Sequence, residues 1–119
     1  MKAIQLHQTG GPEVLLYTDV PDPIPAAGEV LVRMEAAGVG RPDVLLRTGV
    51  YRWMPPLPAI PGAELGGHVV AVGEGVTEVR VGEAVLVYDI RRMRCYAELA
   101  SVPVQAVTLC RRTSTRSMR

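Results

Sequence analysis

The chain has 119 residues, of which 48% are hydrophobic and 21% are charged, and this length and composition are typical of one globular domain. Residues 1–109 carry nine basic and twelve acidic side chains, whereas residues 110–119 add four arginines and no acid. An acidic body with only 4% aromatic residues lacks the basic face and stacking rings of a nucleic-acid-binding surface.

The first part of the chain alternates β patterns with turns. Apolar and β-branched residues predict strands at residues 2–6, 14–20 and 29–37, and alternate residues of the third strand are expected to face the core. Three prolines between residues 21 and 28 exclude regular strand pairing there, so this segment is predicted to be an extended connector.

The best helical pattern lies at residues 41–48. Pro42 suits the first turn of a helix, Asp43 favours the positive end of the helix dipole, and Gly49 is placed to end the helix. The following residues 50–61 are rich in proline and are predicted to form a loop. A loop of this length in a compact domain is often functional.

β patterns return in the second half of the chain. Strands are predicted at residues 65–72, 79–81, 84–88 and 96–102, separated by glycine or proline. Short strands at regular intervals predict a mainly β fold, a small antiparallel β-barrel with one or two short helices. The pattern does not fit alternating βαβ units, so no Rossmann domain is expected in the chain.

Several features could carry chemistry. Gly73-x-Gly75 lacks the third glycine of a dinucleotide fingerprint, because Glu78 occupies that position, and is interpreted as a β-turn. His7 and His68 are isolated and are interpreted as packed or solvated side chains. Glu64 stands among glycines and apolar residues, and we expect its carboxylate to accept backbone N–H bonds in a tight turn rather than act as a general base.

The two cysteines, Cys95 and Cys110, have no CxxC partner and no histidine at metal-ligand spacing. The N-terminus lacks the features of a signal peptide, and the apolar runs are shorter than a membrane span. We therefore expect a reduced, cytoplasmic protein without membrane or nucleic-acid partners.

Residues 1–109 together resemble the N-terminal GroES-like domain of the medium-chain dehydrogenase/reductase superfamily, also called the alcohol dehydrogenase N-terminal domain. Within that superfamily they are most similar to the zinc-independent quinone oxidoreductase, or zeta-crystallin-like, branch. The resemblance rests on segments that occur in the family's order: Gly10-Gly11-Pro12-Glu13-Val14-Leu15, Gly28-Glu29-Val30-Leu31-Val32, Ala36-Ala37-Gly38-Val39 with Asp43, Arg47-x-Gly49-x-Tyr51, Pro61-Gly62-x-Glu64-x-x-Gly67, Val72-Gly73-x-Gly75-Val76, Val81-Gly82-Glu83-Ala84-Val85 and Tyr96-Ala97-Glu98.

The resemblance implies that no zinc is bound. The zinc-dependent branch would place a cysteine where Gly40 stands and a histidine where Ala63 stands, and neither residue can bind a metal. That branch often also carries a four-cysteine lobe before Tyr96, whereas residues 88–95 supply one cysteine.

The resemblance also implies reduction of quinones or enones with NADPH. Gly40, Leu45 and Tyr51 would lie on the nicotinamide side of the cleft, and no catalytic residue is assigned. The family often has asparagine at Gly40 and an aromatic residue at Leu45. Its Rossmann domain holds the nucleotide, so we expect this chain to be truncated before that domain, to bind no NADPH by itself and to be inactive alone. Apolar cleft surface around residues 50–61 would then favour self-association.

Two alternative functions stay open: a stand-alone GroES-like binding or co-chaperone module, and a half-enzyme completed by a separate Rossmann chain. The loop containing Arg91, Arg92 and Arg94 could meet an acidic substrate or the missing domain, or simply be solvated. Residues 110–119 are expected to form a disordered basic tail. Back-translated with GC-rich codons and shifted in frame, this tail gives Pro-Glu-Asp-Val-Asp-Pro-Val-Asp-Ala, which resembles the family's entry to its Rossmann domain. A frameshift product is therefore one interpretation of the tail.

Overall fold

A computed structural model describes residues 1–110 as two antiparallel sheets with one α-helix. In the smaller sheet, β1 (Lys2–Gln5) pairs with β2 (Leu16–Asp19). The larger sheet has the strand order β6-β3-β4-β5-β7. Its strands are β3 (Glu29–Ala37), β4 (Glu64–Val72), β5 (Ala84–Tyr88), β6 (Leu99–Pro103) and β7 (Val107–Leu109), and the helix α1 is Arg41–Thr48. The predicted mainly β, antiparallel fold class with a short helix is confirmed.

The two longest strands, β3 and β4, form the centre of the larger sheet. Their pairing shifts register twice, between Leu31 and Val32 and between Met34 and Ala36. Such shifts are β-bulges, which bend a strand and increase its twist. At Gly67 the two backbones come so close that a Cβ atom would overlap the carbonyl oxygen of Arg33, which explains the glycine there.

Two clusters of buried side chains form the core. The first lies against the larger sheet and is built mostly from valines, with Leu65 and Cys95. The second packs α1 against the proline-rich loop and includes Leu46, Tyr51 and Met93. Because the chain contains no phenylalanine, the first cluster depends on aliphatic side chains that alternate along each strand.

The helix has the predicted bounds, and the sequence signals at both ends act as expected. Gly49 adopts a left-handed conformation with φ +86°, which glycine tolerates better than any other residue. Its N–H donates to the carbonyl oxygen of Leu46 at 3.1 Å. Inside the last turn the Thr48 hydroxyl donates to the carbonyl oxygen of Val44 at 3.0 Å. The segment from 50 to 61 contains no regular helix or strand, as predicted.

The structure differs from the sequence prediction at four strands. The strand predicted at residues 14–20 is shorter, at β2, because Val14 ends a short 3₁₀-helix, Pro12–Val14. The strand predicted at residues 79–81 is wrong: the segment is irregular, and Val79 is apolar because it is a buried member of the first cluster. The strand predicted at residues 96–102 is found later, at β6, since Ala97 forms only an isolated bridge with Ala3. The short strand β7 was not predicted, and it is identified by its pairing with β5.

The predicted boundary at residue 109 falls at the end of β7, and Cys110 is still attached to the sheet through its N–H, which donates to the carbonyl oxygen of Ala84 at 2.9 Å. The predictions of a disordered or frameshifted tail concern residues that, from 111 to 119, lie outside the described part of the chain. Among residues 1–110, no helix is both long enough and apolar enough to cross a membrane.

Candidate functional site

The irregular segment Pro61-Gly62-Ala63, with a bend at Ala63, leads into β4 and forms one side of the candidate site. Gly62 has φ +111°, and a Cβ atom on it would lie 2.6 Å from the backbone nitrogen of Tyr96. Both the conformation and the close approach require glycine. The Pro-Gly segment of the sequence therefore brings Ala63 next to the segment around Tyr96.

The buried side chain of Asp43 fastens this turn to the start of α1. Its Oδ2 accepts the N–H of Gly40 at 2.9 Å, and its Oδ1 accepts the N–H of Gly62 at 3.0 Å. The Tyr96 hydroxyl donates to Oδ2 at 2.7 Å. Hydrogen bonds to an ionised carboxylate are stronger than neutral ones, and together they compensate for the burial of the charge. Asp43 thus fixes the position of Gly40 relative to Ala63.

Tyr96 is kept in its protonated, hydrogen-bond-donating form. Burial and the hydrogen bond to Asp43 raise the pKa of the Tyr96 phenol well above its usual value. The same hydroxyl lies 3.2 Å from the carbonyl oxygen of Gly38, the second acceptor within its reach. The residues around this hydroxyl are therefore held by a donor that does not ionise near neutral pH.

A small pocket of about 140 Å³ opens beside this network. Gly40 and Ala63 both line it, so the two positions at which the zinc-dependent branch carries ligands are brought together in this fold. The remaining lining residues are Gly38, Pro42, Asp43, Glu64 and Tyr88. Among residues 1–110, no group of three or more histidine, cysteine, aspartate or glutamate side chains is arranged to hold a metal ion.

The small pocket adjoins a larger groove of about 710 Å³, and both are lined by Gly38, Glu64 and Tyr88. The groove lies at the C-terminal end of β3 and over β4 and β5, where Leu86 is 56% exposed and Tyr88 is 60% exposed. The walls of the groove are largely apolar. Of its polar lining residues, Glu64 and Tyr88 lie where groove and pocket meet, and Thr108 lies elsewhere in the groove.

Glu64 and Tyr88 are cross-strand neighbours at that junction, at the start of β4 and the end of β5. The prediction that the Glu64 carboxylate accepts backbone N–H bonds is wrong: within residues 1–110 it has no hydrogen-bond partner, and Asp43 has that role instead. Glu64 joins the backbone through its carbonyl oxygen, which accepts the N–H of Gly38 at 3.2 Å. Its exposed carboxylate is available to a ligand.

The three residues predicted on the nicotinamide side lie in two places. Gly40 lines the small pocket. Leu45 is half-buried and packs against the second cluster, and Tyr51 is a buried member of that cluster whose hydroxyl donates to the carbonyl oxygen of Ile90. Burial raises the pKa of the Tyr51 phenol. The role of these residues toward a cofactor stays a prediction.

The sequence indicated the residues of this site only in part. Asp43 was assigned to the helix dipole, and its bond to Gly62 joins positions nineteen residues apart that no local pattern connects. Tyr88 was noticed only as the end of a strand, although pairing β4 with β5 would have placed it beside Glu64.

The isolated histidines and the glycine pair behave as interpreted. His68 is an exposed side chain whose Nδ1 lies 2.7 Å from a carboxylate oxygen of Glu35, and His7 is exposed. The segment from Gly73 to Gly75 is a turn after β4, with φ +83° at Gly75.

Comparison with known proteins identifies the class. The model of the "Alcohol dehydrogenase GroES-like domain" family matches residues 26–115. The chain belongs to this family, the N-terminal domain of the medium-chain dehydrogenase/reductase superfamily. Among similar curated proteins are the quinone oxidoreductase of Lama guanicoe, 43% identical over 86 residues, which are 71% of this chain and 26% of that protein, and that of Rattus norvegicus, 38% identical over 90 residues, which are 75% of this chain and 27% of that protein.

Solved structures point to the same group. The quinone oxidoreductase of Pseudomonas syringae pv. Tomato DC3000 superposes with a TM-score of 0.87 at 35% identity, covering 99% of this chain and 34% of that one. The Escherichia coli quinone oxidoreductase complexed with NADPH gives a TM-score of 0.84 at 30% identity, covering 92% of this chain and 33% of that one. The chain spans about a quarter of the length of the curated relatives that it matches.

Proposed function

We propose that residues 1–110 form the substrate-side domain of an NADPH-dependent quinone or enone oxidoreductase. The observation that carries this proposal is the junction of a small pocket and an apolar groove at Glu64 and Tyr88. The similarity to quinone oxidoreductases, one of them solved with NADPH, supports the choice of reaction and cofactor.

The small pocket suits a flat ring and not a whole dinucleotide. Gly40 and Ala63 offer nothing larger than a methyl group, so a nicotinamide can approach the backbone closely there. The chain has no Gly-x-Gly-x-x-Gly turn followed by a helix, so the phosphates must be held by another domain. When bound, NADPH supplies the hydride, and the residues of this domain supply position and surroundings.

The groove would hold the acceptor. Its apolar walls favour an uncharged aromatic or alkene substrate and remove water from around it. At the junction, the Tyr88 hydroxyl can donate a hydrogen bond to an acceptor oxygen as negative charge develops there. Glu64, its cross-strand neighbour, is placed to orient that hydroxyl or to relay a proton.

The remaining parts of the proposal follow from the residues of this polypeptide. Activity requires a Rossmann domain, in the same chain or another, so the 119-residue polypeptide by itself neither binds NADPH nor reduces quinones. The reaction uses no zinc, because Gly40 and Ala63 carry no metal-binding atom in their side chains. Cytoplasmic location belongs to the same proposal, since both cysteines are free.

A chimera tests this function. Residues 1–110 replace the equivalent N-terminal segment of a quinone oxidoreductase relative, and quinone-dependent NADPH oxidation is measured. We expect activity above that of the relative's remaining domain alone. In the chimera, Tyr88→Phe should lower kcat by about tenfold while leaving the Kd for NADPH unchanged, because one hydrogen bond to the reacting oxygen is lost.

Tyr17→Phe is the matched control, since Tyr17 is similarly exposed but lies on β2. A chimera that folds and binds NADPH but reduces neither quinones nor enones would contradict the proposal. Equal losses in the two tyrosine variants would remove Tyr88 from the site.

A further inference from the structure

A second recess, of about 460 Å³, lies between the proline-rich loop and the loop that follows β5. We call it the arginine recess. The residues that define it are Gln5, Trp53, Pro56, Arg91, Arg92 and Arg94. Among residues 1–110, it shares no lining residue with the small pocket or the groove, so it is a separate site.

The recess is positively charged within an acidic body. In the described part of the chain, three arginines line it and no acidic residue does, although residues 1–109 carry three more acids than bases. Within residues 1–110, the ion pair of these arginines joins Arg92 to Glu29 at 2.7 Å. Within residues 1–110, Arg91 and Arg94 have no ion pair. Two guanidinium groups are therefore available to an anion.

The orientation of Arg91 is fixed by an aromatic ring rather than by a counter-ion. Its guanidinium lies 4.8 Å from the centre of the Trp53 ring, and that of Arg52 lies 5.2 Å from the same ring. Trp53 in turn contacts the buried Tyr51 edge-on, with ring centres 5.9 Å apart. Stacking on an aromatic face positions a guanidinium while leaving its N–H groups free to bind.

The loop that follows β5 has an energetically unfavourable backbone conformation at two residues. Met93 and Arg94 both have positive φ, 62° and 81°, which is uncommon for residues other than glycine. Met93 is fully buried and anchors the loop, and the N–H of Arg94 donates to the carbonyl oxygen of Ile60 at 3.0 Å. Asp89 accepts the N–H groups of Arg91 and Arg92. The backbone from which these arginines extend is therefore fixed before any ligand arrives.

We propose that the arginine recess binds a small ligand with two or more phosphate or carboxylate groups, held by Arg91 and Arg94 against Trp53. The guanidinium fork matches the geometry of either oxyanion. Two unpaired guanidiniums favour a ligand with more than one anionic group, and the enclosing prolines favour a small molecule. This site lies outside the substrate groove and does not depend on the oxidoreductase function.

Calorimetric titration of the 119-residue chain tests the proposal, with pyrophosphate and citrate as probes that separate phosphate from carboxylate chemistry. We expect saturable binding of one anion per chain for at least one probe. Because Trp53 is the only tryptophan, its fluorescence should change with the same midpoint. Arg94→Gln should weaken binding about tenfold or more, as expected for loss of a charged hydrogen bond.

Three further variants keep the result interpretable. Arg94→Gly removes the same charge and suits the positive φ, so it should fold at least as well as the parent chain and bind as weakly as Arg94→Gln. Arg33→Gln, on the exposed side of β3, changes net charge equally and should bind normally. Arg111→Gln/Arg112→Gln should also bind normally. Absence of saturable binding of both anions, or equal loss in the Arg94 variants and in either control, would overturn the proposal.

Discussion

Asp43 and Asp89 are equally buried, each with 8% exposure, but they are used differently. Asp43 accepts hydrogen bonds from three separate segments of the chain, at Gly40, Gly62 and Tyr96. Asp89 uses one oxygen for two N–H groups of its own loop, and its Oδ2 has no partner among the described residues. The two side chains are equally buried, but Asp43 joins distant segments of the chain, whereas Asp89 contacts only its own loop. We call the hydrogen bonds of the Asp43 carboxylate the clamp.

This difference determines at which of the two aspartates removal of the carboxylate strongly lowers the free energy of unfolding. At Asp43, three donors would lose this acceptor, and only the Tyr96 hydroxyl has another one within reach, the carbonyl oxygen of Gly38. At Asp89, the carboxylate already includes a buried oxygen without a partner, which costs free energy in the parent chain. The small pocket thus depends on Asp43, whereas Asp89 shapes the loop that carries the arginines of the recess.

The largest effect is expected from Asp43→Ala. Loss of the carboxylate leaves the N–H groups of Gly40 and Gly62 without an acceptor and leaves the Tyr96 hydroxyl only its longer bond to Gly38, so the free energy of unfolding should fall by about 3–5 kcal/mol. Urea denaturation followed by circular dichroism measures it. Asp22→Ala, at an exposed side chain, serves as the control. A loss below about 1 kcal/mol would show that Asp43 is not a clamp.

Gly62→Ala should have the next largest effect, about 2–4 kcal/mol, because the new Cβ would press on the backbone nitrogen of Tyr96 in addition to straining φ. Gly75→Ala separates the two causes. Gly75 also has positive φ, but a Cβ there would meet nothing within 4 Å, so we expect a loss of only about 1 kcal/mol. Equal losses in thermal or urea unfolding would assign the whole effect to φ.

Tyr96→Phe should lower the free energy of unfolding by about 1–2 kcal/mol near neutral pH, since it removes the hydroxyl that donates to Asp43. It should also change the pH dependence. A pKa raised in the folded state means that the unfolded chain releases its proton first, so this contribution is complete below the ordinary tyrosine pKa of 10.0 and is lost as pH rises above it.

The alkaline fall in stability should therefore be shallower in Tyr96→Phe above about pH 10. Burial and the nearby Asp89 raise the pKa of the Cys95 thiol to about 12, so a fall that begins near the ordinary thiol value of 9.0 should remain in both proteins. Tyr17→Phe, at an exposed ring, is the control. Parallel curves for wild type and Tyr96→Phe would contradict the assignment.

The smallest effect is expected from Asp89→Asn. Asparagine keeps the oxygen that accepts the N–H groups of Arg91 and Arg92 and removes a buried charge, so stability should change by no more than about 0.5 kcal/mol, in either direction. Asp43→Asn is the matched comparison. Its amide cannot accept from all three donors, and it should lose about 2 kcal/mol. Similar losses in both variants would remove the distinction between the two aspartates.

Local patterns in the sequence by themselves determined α1, the central strand β3 and the family. Pro42, Asp43 and Gly49 act on the residues next to them, and alternation along residues 29–37 needs no knowledge of the partner strand. The same patterns failed at residues 79–81, where Val79 is buried in the core but belongs to no strand. A buried residue and a strand residue are both apolar, so composition alone does not distinguish them.

Only the tertiary structure decided how distant residues are used. The bonds of Asp43 to Gly62 and Tyr96 join positions that are 19 and 53 residues apart. The pairing of Glu64 with Tyr88 and the grouping of Arg91 and Arg94 near Trp53 join positions that are 24 to 41 residues apart. Such contacts depend on the register of β4 against β5 and on the paths of two loops, which no periodicity encodes. The sequence by itself identifies the family. The hydrogen bonds of the site and the grouping of its charged side chains form only when the sheet and the loops are assembled.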